Sequence, residues 1–326
     1  MNAISEKRPF DTVGFLRTWG TTLFLLLLVA VFASQNPRFL SLRNATNILT
    51  EVSIYGVIAV GMTFVILTAG VDLAVGSLLA FASIAAAWTV QHLAPGVPQW
   101  LVALSVASAI GLGAGFLHGK AITLLNVPAF IVTLGGMTVW RGATLILNDG
   151  GPIAGFDDGY RWWGTGAIMG VPVPVVIFAV VALIGHVTLR HTRYGRQVYA
   201  VGGNAEAARL SGIDVRAVIV SVYAIVGFLA GLSGFLLSAR LGSSEAVAGG
   251  NYELRVIASV VIGGASLAGG SGSIRGTLIG ALLIGVLSNG LVIMHVSSYF
   301  QQVVIGLIIV AAVAFDSYTK SHRGKV

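Results

Sequence analysis

Residues 52–90 read VSIYGVIAVGMTFVILTAGVDLAVGSLLAFASIAAAWTV, nearly 40 positions in which Asp72 is the one charged side chain. A helix crossing about 30 Å of hydrocarbon needs roughly 20 apolar residues, so the stretch holds two spans, Val52 to Ala69 and Leu73 to Val90. Gly70, Asp72, Gly76 and Ser77 interrupt it. Broken helices are tolerated at membrane depth only where the freed backbone faces protein or water. The segment ASLAGGSGS, Ala265 to Ser273, echoes the interruption near the other end of the chain. Paired interruptions point to transport sites in transporters built from repeats. The alternative is two ordinary turns at the cytoplasmic face, with Asp72 solvated.

Working outward, the same length rule finds about ten spans. They run from Thr18 to Ser34, Val52 to Ala69, Leu73 to Val90, Trp100 to Gly119, Leu124 to Leu147, Ile168 to Leu189, Ala217 to Ala239, Val256 to Gly269, Thr277 to Met294 and Tyr299 to Phe315. The eighth is short and interrupted by glycine. A chain with 56% apolar and 10% charged residues and a mean hydropathy of +0.90 cannot fold as a soluble globule without exposing apolar surface. The expected fold is therefore all-α, a polytopic membrane protein with about ten transmembrane helices, some of them broken. Residues 1–17 form an N-terminal segment, 18–316 a single transmembrane domain and 317–326 a tail. Val31 to Ala33 resembles a signal-peptidase site, yet the apolar run is longer than a signal peptide needs, so the first helix is expected to be retained. The absence of cysteine excludes disulfides, thiolate nucleophiles and cysteine-ligated metals.

Orientation follows from the basic residues, because basic loops resist translocation. With an inner N-terminus and ten crossings, thirteen fall inside: Lys7, Arg8, Arg17, Lys120, Arg190, Arg193, Arg196, Arg209, Arg216, Arg275, Lys320, Arg323 and Lys325. Five fall outside, namely Arg38, Arg43, Arg161, Arg240 and Arg255, and Arg141 lies within a span. Both termini are expected in the cytoplasm. The net charge of +7 is spread between apolar spans rather than over one face, so it reads as a topology signal and not as a nucleic-acid surface. The outer loop NDGGPIAGFDDGYRWWGTG, Asn148 to Gly166, carries Trp162 and Trp163 as an interfacial belt would.

One inner loop stands apart. Arg190 to Arg216, RHTRYGRQVYAVGGNAEAARLSGIDVR, holds five arginines, a glutamate and an aspartate. Asn204 is a candidate N-cap, Glu206 and Ala207 suit a first helical turn, and Gly212 suits a left-handed stop. A short helix is expected, with Ala205, Ala208, Leu210 and Ile213 presenting an apolar knob; the plainer reading is a solvated connector.

Glu206-Ala207-Ala208, three residues, then Gly212 matches the E-A-A-x3-G core of the coupling loop of ABC importer permeases, and GRQVYAVGGNAEAARLSGI around it resembles the version in ribose-type sugar permeases. The resemblance continues through VGMTFVILTAGVDLAVGSLLA (Val60 to Ala80), FIVTLGGMTVWRG (Phe130 to Gly142), VIGGASLAGGSGSIRGTLIGALLIG (Val261 to Gly285) and VSSYFQQVVIGLIIVAAV (Val296 to Val313). It implies a permease in the bacterial inner membrane, working with a second permease subunit, cytoplasmic ABC ATPases and an extracytoplasmic sugar-binding protein. It also implies a monosaccharide cargo, and an ATPase-coupling role for Asn204, Glu206, Ala207, Ala208, Arg209 and Gly212. No cofactor is implied in this chain; ATP and Mg belong to the partner ATPase. Other small solutes, such as a nucleoside or a branched-chain amino acid, remain alternatives.

Smaller features weigh less. GAGFLHGK, residues 113–120, nearly spells a phosphate loop, but Ala114 and Ala121 break the pattern and the stretch closes a membrane helix. Gly111, Gly115 and Gly119, like Gly227 with Gly231 and Gly276 with Gly280, are spaced for close helix packing. Candidate residues for the translocation path are Thr68, Asp72, Ser77, Thr133, Arg141 and Asn289. Arg141 reads either as an interfacial anchor within snorkelling reach or as a site. The six histidines show no metal-ligand spacing and no carboxylate partner in sequence. A secondary transporter would carry more intramembrane acids, and a channel a repeated pore motif. Reporter fusions should place residue 157 outside and residues 195–215 and the C-terminus inside; a cytoplasmic signal at 157 would overturn this orientation.

Overall fold

The computed structural model describes residues 12–93 and 96–321. Lys7, Arg8, Arg323 and Lys325 lie outside the described residues, as do most of the segment 1–17 and the end of the tail 317–326. The described chain forms α1 (Thr12–Gln35), α2 (Leu42–Leu67), α3 (Val75–His92), α4 (Gln99–Leu125), α5 (Ala129–Leu147), α6 (Asp158–Thr165) and α7 (Val173–His191). It continues through α8 (Arg193–Gly203), α9 (Ala205–Leu210), α10 (Val215–Leu241), α11 (Tyr252–Ile262), α12 (Ile274–Ile293) and α13 (Ser298–Ser321). Two-residue strands β1 (Ile153–Ala154) and β4 (Ser243–Ser244) pair antiparallel. So do β2 (Ala167–Ile168) and β3 (Val171–Pro172).

Local chemistry sets the helix ends. The Ser41 and Ser273 hydroxyls accept from the amides of Asn44 and Gly276 at the starts of α2 and α12. Pro98, Pro128 and Pro172 stand where α4, α5 and α7 begin, since a missing N–H costs no helical bond there. Asn126 and Gly242, both left-handed, close α4 and α10.

Seven helices are long and apolar enough to cross a membrane: α2, α3, α4, α5, α7, α10 and α12. The other three expected spans fall on α1, α11 and α13. The stretch expected to span from Val256 to Gly269 is instead the end of α11 followed by a turn. With 11 residues, α11 is about 16 Å long at helical rise, half the hydrocarbon thickness.

The core is α2. Every residue from Val52 to Leu67 is buried, as a helix that is apolar all round requires. Around it one packing scheme appears twice: α2 lies against α11 and α12, and α10 lies against α3 and α4. In the same way α3 packs on α4 and α11 on α12, while α5 rests on α3 and α13 on α11. The two halves meet where Gly76 of α3 faces Gly249, just before α11. A methyl group on either glycine would collide with the other's carbonyl oxygen. The counterpart of the break after α2 is thus the loop 242–251, not Ala265 to Ser273. The sequences agree in register: Asp72-Leu-Ala-Val-Gly76 against Glu245-Ala-Val-Ala-Gly249.

α4 and α10 touch backbone to backbone. A methyl on Gly111, Gly115 or Gly231 would strike the carbonyl of Gly227, Tyr223 or Ala107 respectively, which confirms the packing role expected of these stripes. Gly115→Val should therefore lower the unfolding midpoint in detergent, with an overpacking cost of about 1–3 kcal/mol. Gly113→Val, where an added methyl meets nothing within 4 Å, should leave the midpoint close to that of the parent.

Candidate functional site

The island folds as two short helices. Thr192 caps α8 by accepting from the Gly195 amide. Asn204 Oδ1 accepts from the Ala207 amide at 2.9 Å and caps α9. At the far end Ile213 N–H donates to Ala208 O (3.1 Å) and Gly212 N–H to Arg209 O (3.0 Å), with Gly212 at φ +82°. This is a Schellman stop, and a β-branched residue resists that backbone conformation. The Arg209 guanidinium donates to both Glu206 carboxylate oxygens, Nε at 3.0 Å. That pair, fully in solvent, pulls the Glu206 carboxyl below its usual range. The expected apolar knob is smaller than its sequence suggested. Ala208 is buried and Ile213 half-buried, so both turn toward the bundle, while Ala205, Ala207 and Leu210 face outward.

What α8 touches matters most. The Leu67 carbonyl, at the last residue of α2, accepts from the Gly270 amide at 3.0 Å. A methyl on Gly202 would collide with that same carbonyl oxygen. One on Gly269 would come within 2.7 Å of Gly202 O, and one on Gly270 within 3.0 Å of Gly203 Cα. Three segments distant in sequence thus meet backbone to backbone at Gly202 and Gly203, directly before the N-cap of α9. Tyr199 Oη donates to Gly272 O at 2.8 Å. Tyr194 stacks on Phe64 of α2 and bonds Ser221 of α10 at 2.6 Å.

Beyond Leu67 the chain turns through Asp72, which is fully buried; the solvated reading of this residue does not hold. Asp72 Oδ1 accepts from the Ala74 amide at 2.8 Å, and Oδ2 lies 3.7 Å from His118 Nδ1. Trp140 Nε1 donates to His118 Nε2 at 3.1 Å, so the imidazole's Nδ1 carries the proton and faces the carboxylate. The Val71 carbonyl accepts from Tyr223 Oη (3.1 Å) and Thr133 Oγ1 (3.3 Å). His118 of α4, Thr133 and Trp140 of α5 and Tyr223 of α10 therefore hold one turn. His118, set aside for lack of a sequence neighbour, finds its carboxylate across the fold, 46 positions away.

Arg141 belongs to the second loop. Its Nη1 donates to the carbonyls of Ala246 (2.7 Å) and Ala248 (3.2 Å), which places it at protein backbone instead of the interface. One helix, α5, thus touches both broken segments: Arg141 donates to the second, and Thr133 Oγ1 shares its one proton between Ala129 O of its own helix (2.9 Å) and Val71 O of the first (3.3 Å). Ser77 is buried and donates to Ala74 O at 2.9 Å, and Thr68 donates to Val65 O at 2.8 Å. Asn289 stands apart from these: it exchanges amide bonds with Asn44 at 2.9 and 3.0 Å, at the opposite end of α2, about 35 Å from Leu67 at helical rise. Among the described residues no cluster of His, Cys, Asp and Glu is built to hold a metal.

A family model described as branched-chain amino acid transport system / permease component matches residues 44–313. Ribose import permease protein RbsC of Escherichia coli (strain K12) is 44% identical over 96% of this chain and 98% of its own length. RbsC of Bacillus subtilis (strain 168) is 43% identical over 96% of each chain. D-allose transport system permease protein AlsC of Escherichia coli (strain K12) is 40% identical over 96% of this chain and 95% of its own. No solved structure matches the chain. With near full-length identity of this order added to a helical membrane bundle that carries the E-A-A-x3-G loop at its exposed face, the chain belongs to the family of ribose-type ABC sugar permeases.

Proposed function

We propose that this chain is the membrane subunit of a binding-protein-dependent importer that moves a monosaccharide, a ribose-like pentose or a hexose, across the bacterial inner membrane by alternating access. It crosses ten times: α1 and α13 add to the seven long helices, and α11, too short to cross alone, crosses together with its flanking backbone loops, which leaves both termini and residues 190–216 in the cytoplasm. It pairs with a second permease subunit, cytoplasmic ATPases that bind ATP and Mg, and an extracytoplasmic sugar-binding protein. The cargo assignment is supported by relatives named for ribose, for allose and, at 36% identity in Haemophilus influenzae, for xylose.

The observation that carries the coupling role is the contact of Gly202 with Leu67 O. Displacing α9 as the ATPases close moves α8 as a rigid piece. Because α8 meets α2 and the 265–273 turn through backbone at Gly202 and Gly203, no side chain at that contact can absorb the displacement by changing rotamer. The motion passes to the end of α2 and on to the Asp72 turn. Asn204 and Gly212 fix the ends of the moving helix, and Glu206 with Arg209 stiffens its exposed face.

The path itself needs only weak sugar contacts, because conduction requires release. The neutral polar groups within the spans are already engaged: Thr63 shares a hydrogen bond with Thr277 (2.8 Å), and Thr133 with Val71. Single replacements of Ser77, Thr133 or Asn289 should therefore change uptake only modestly. Vesicles holding the full transporter, offered pentoses, hexoses, nucleosides and amino acids side by side, test the cargo. Transport of a charged amino acid without any sugar, lost in Arg141→Ala, would refute the sugar assignment. A branched-chain amino acid as sole cargo would favour the solute in the family model's description.

Coupling is tested separately. Gly212→Val and Gly202→Ala should insert normally yet reduce uptake by about 5- to 150-fold, the range of ordinary coupling energies, and weaken stimulation of ATP hydrolysis by the loaded binding protein. Gly203→Ala, where an added methyl meets nothing within 4 Å, should retain both. Unchanged uptake in Gly212→Val and Gly202→Ala would reduce the island to a connector.

A further inference from the structure

A groove of about 580 Å³ runs between α4 and α10 at the end nearest the island, and its walls include Phe116, Lys120, Leu124, Asp214, Arg216 and Val220. A second groove of about 490 Å³, under the turn joining α4 to α5, shares Thr123, Leu124 and Arg216 with it. Phe116 is 46% and Leu124 64% exposed, so the walls open to the surroundings of the bundle. The Lys120 ammonium lies 5.4 Å from the centre of the Phe116 ring, held over an apolar wall. Arg216, the second residue of α10, supplies the other cation. Among the described residues neither makes an ion pair. Asp214 is the one carboxylate in the groove, and it accepts from the Ala217 amide at 3.0 Å as the cap of α10.

We propose that this groove binds an anionic glycerophospholipid, its phosphodiester between Lys120 and Arg216 and an acyl chain along Phe116 and Val220. The charges favour that ligand. Two cations and one capping carboxylate leave a net +1, which a phosphatidylglycerol headgroup neutralises and a zwitterionic headgroup does not. Arginine takes phosphate oxygens through a planar fork and lysine as a point charge. Basic pockets between membrane helices suit anionic headgroups. The site adjoins the Schellman stop of α9 by two residues, so a bound lipid holds the start of α10 beside the island. Which leaflet supplies the lipid rests on the proposed topology; binding itself does not.

The test uses full-length protein in nanodiscs of phosphatidylcholine, with or without phosphatidylglycerol in both leaflets, so that an error in topology leaves the result unaffected. Phosphatidylglycerol should raise the unfolding midpoint of the parent by about 2–4 °C, and native mass spectrometry should find it retained. The rise should vanish in the double variant Lys120→Gln, Arg216→Gln and return in Lys120→Arg, Arg216→Lys, which keeps both charges. An equal rise in the Gln variant, no rise in the parent, or the same rise with inorganic phosphate alone would overturn the proposal. The chain lacks cysteine, so Leu124→Cys gives a single reporter. Its efficient disulfide cross-linking between copies would mean that a second permease subunit covers the groove instead, and would also overturn the proposal.

Discussion

The carbonyl of Leu67 sets the problem that the surrounding structure solves. α2 is buried along its whole inner length, and the last carbonyls of any helix lack intrahelical donors. In hydrocarbon or protein interior such a group costs several kcal/mol if left alone. Here Gly270 supplies the donor, which requires the 265–273 turn to come to α2, and Gly202 lets α8 pass at backbone distance. The requirement to satisfy one oxygen thereby brings the end of the central helix, the turn between α11 and α12 and the exposed island to one point.

The break after α2 and the loop before α11 are answered by the same helix. Thr133 and Arg141 stand eight residues apart on α5, just over two helical turns. One donates to Val71 and the other to Ala246 and Ala248. Each freed backbone segment thus meets protein donors, the condition under which irregular chain survives at membrane depth. The charges Asp72 and Arg141 fit this logic: Asp72 caps the Ala74 amide, and Arg141 caps carbonyls.

Much of this was legible in the residues. Length and apolarity placed seven full helices, because the spanning requirement is nearly one-dimensional. The caps of α9 were readable at Asn204 and Gly212, since a cap depends on neighbours in sequence. What failed was whatever depends on pairing across the fold. Ala265 to Ser273 resembles the first break in composition, yet its glycines serve close contact with Gly202 and Gly203, while the true counterpart, 242–251, differs in all but its acid-to-glycine spacing. The 11 residues of α11 could not be told from a membrane span by hydropathy. His118 sat in a near-miss phosphate loop with no carboxylate within reach along the chain, and Gly202 looked like one more glycine in a chain that has 43.

The least buried of the long helices reaches both broken loops. Only 11% of the α5 span is buried, yet α5 holds both broken loops, and through Trp140 it orients His118 against Asp72. Moving α5 away from the bundle would take the Arg141 donor from Ala246 and Ala248 and leave Val71 with Tyr223 Oη alone, at a net cost of about 1 kcal/mol for the neutral bond and more for those to the guanidinium. The loops must then move with the helix or find other partners. Since the first loop begins at Leu67, where α8 is seated, a displacement on the exposed face of α5 and one at α9 act on the same few residues from opposite ends. On the proposed coupling, no wire of side chains is needed between them: the turn that runs from Leu67 to Asp72 is short, and both helices touch it.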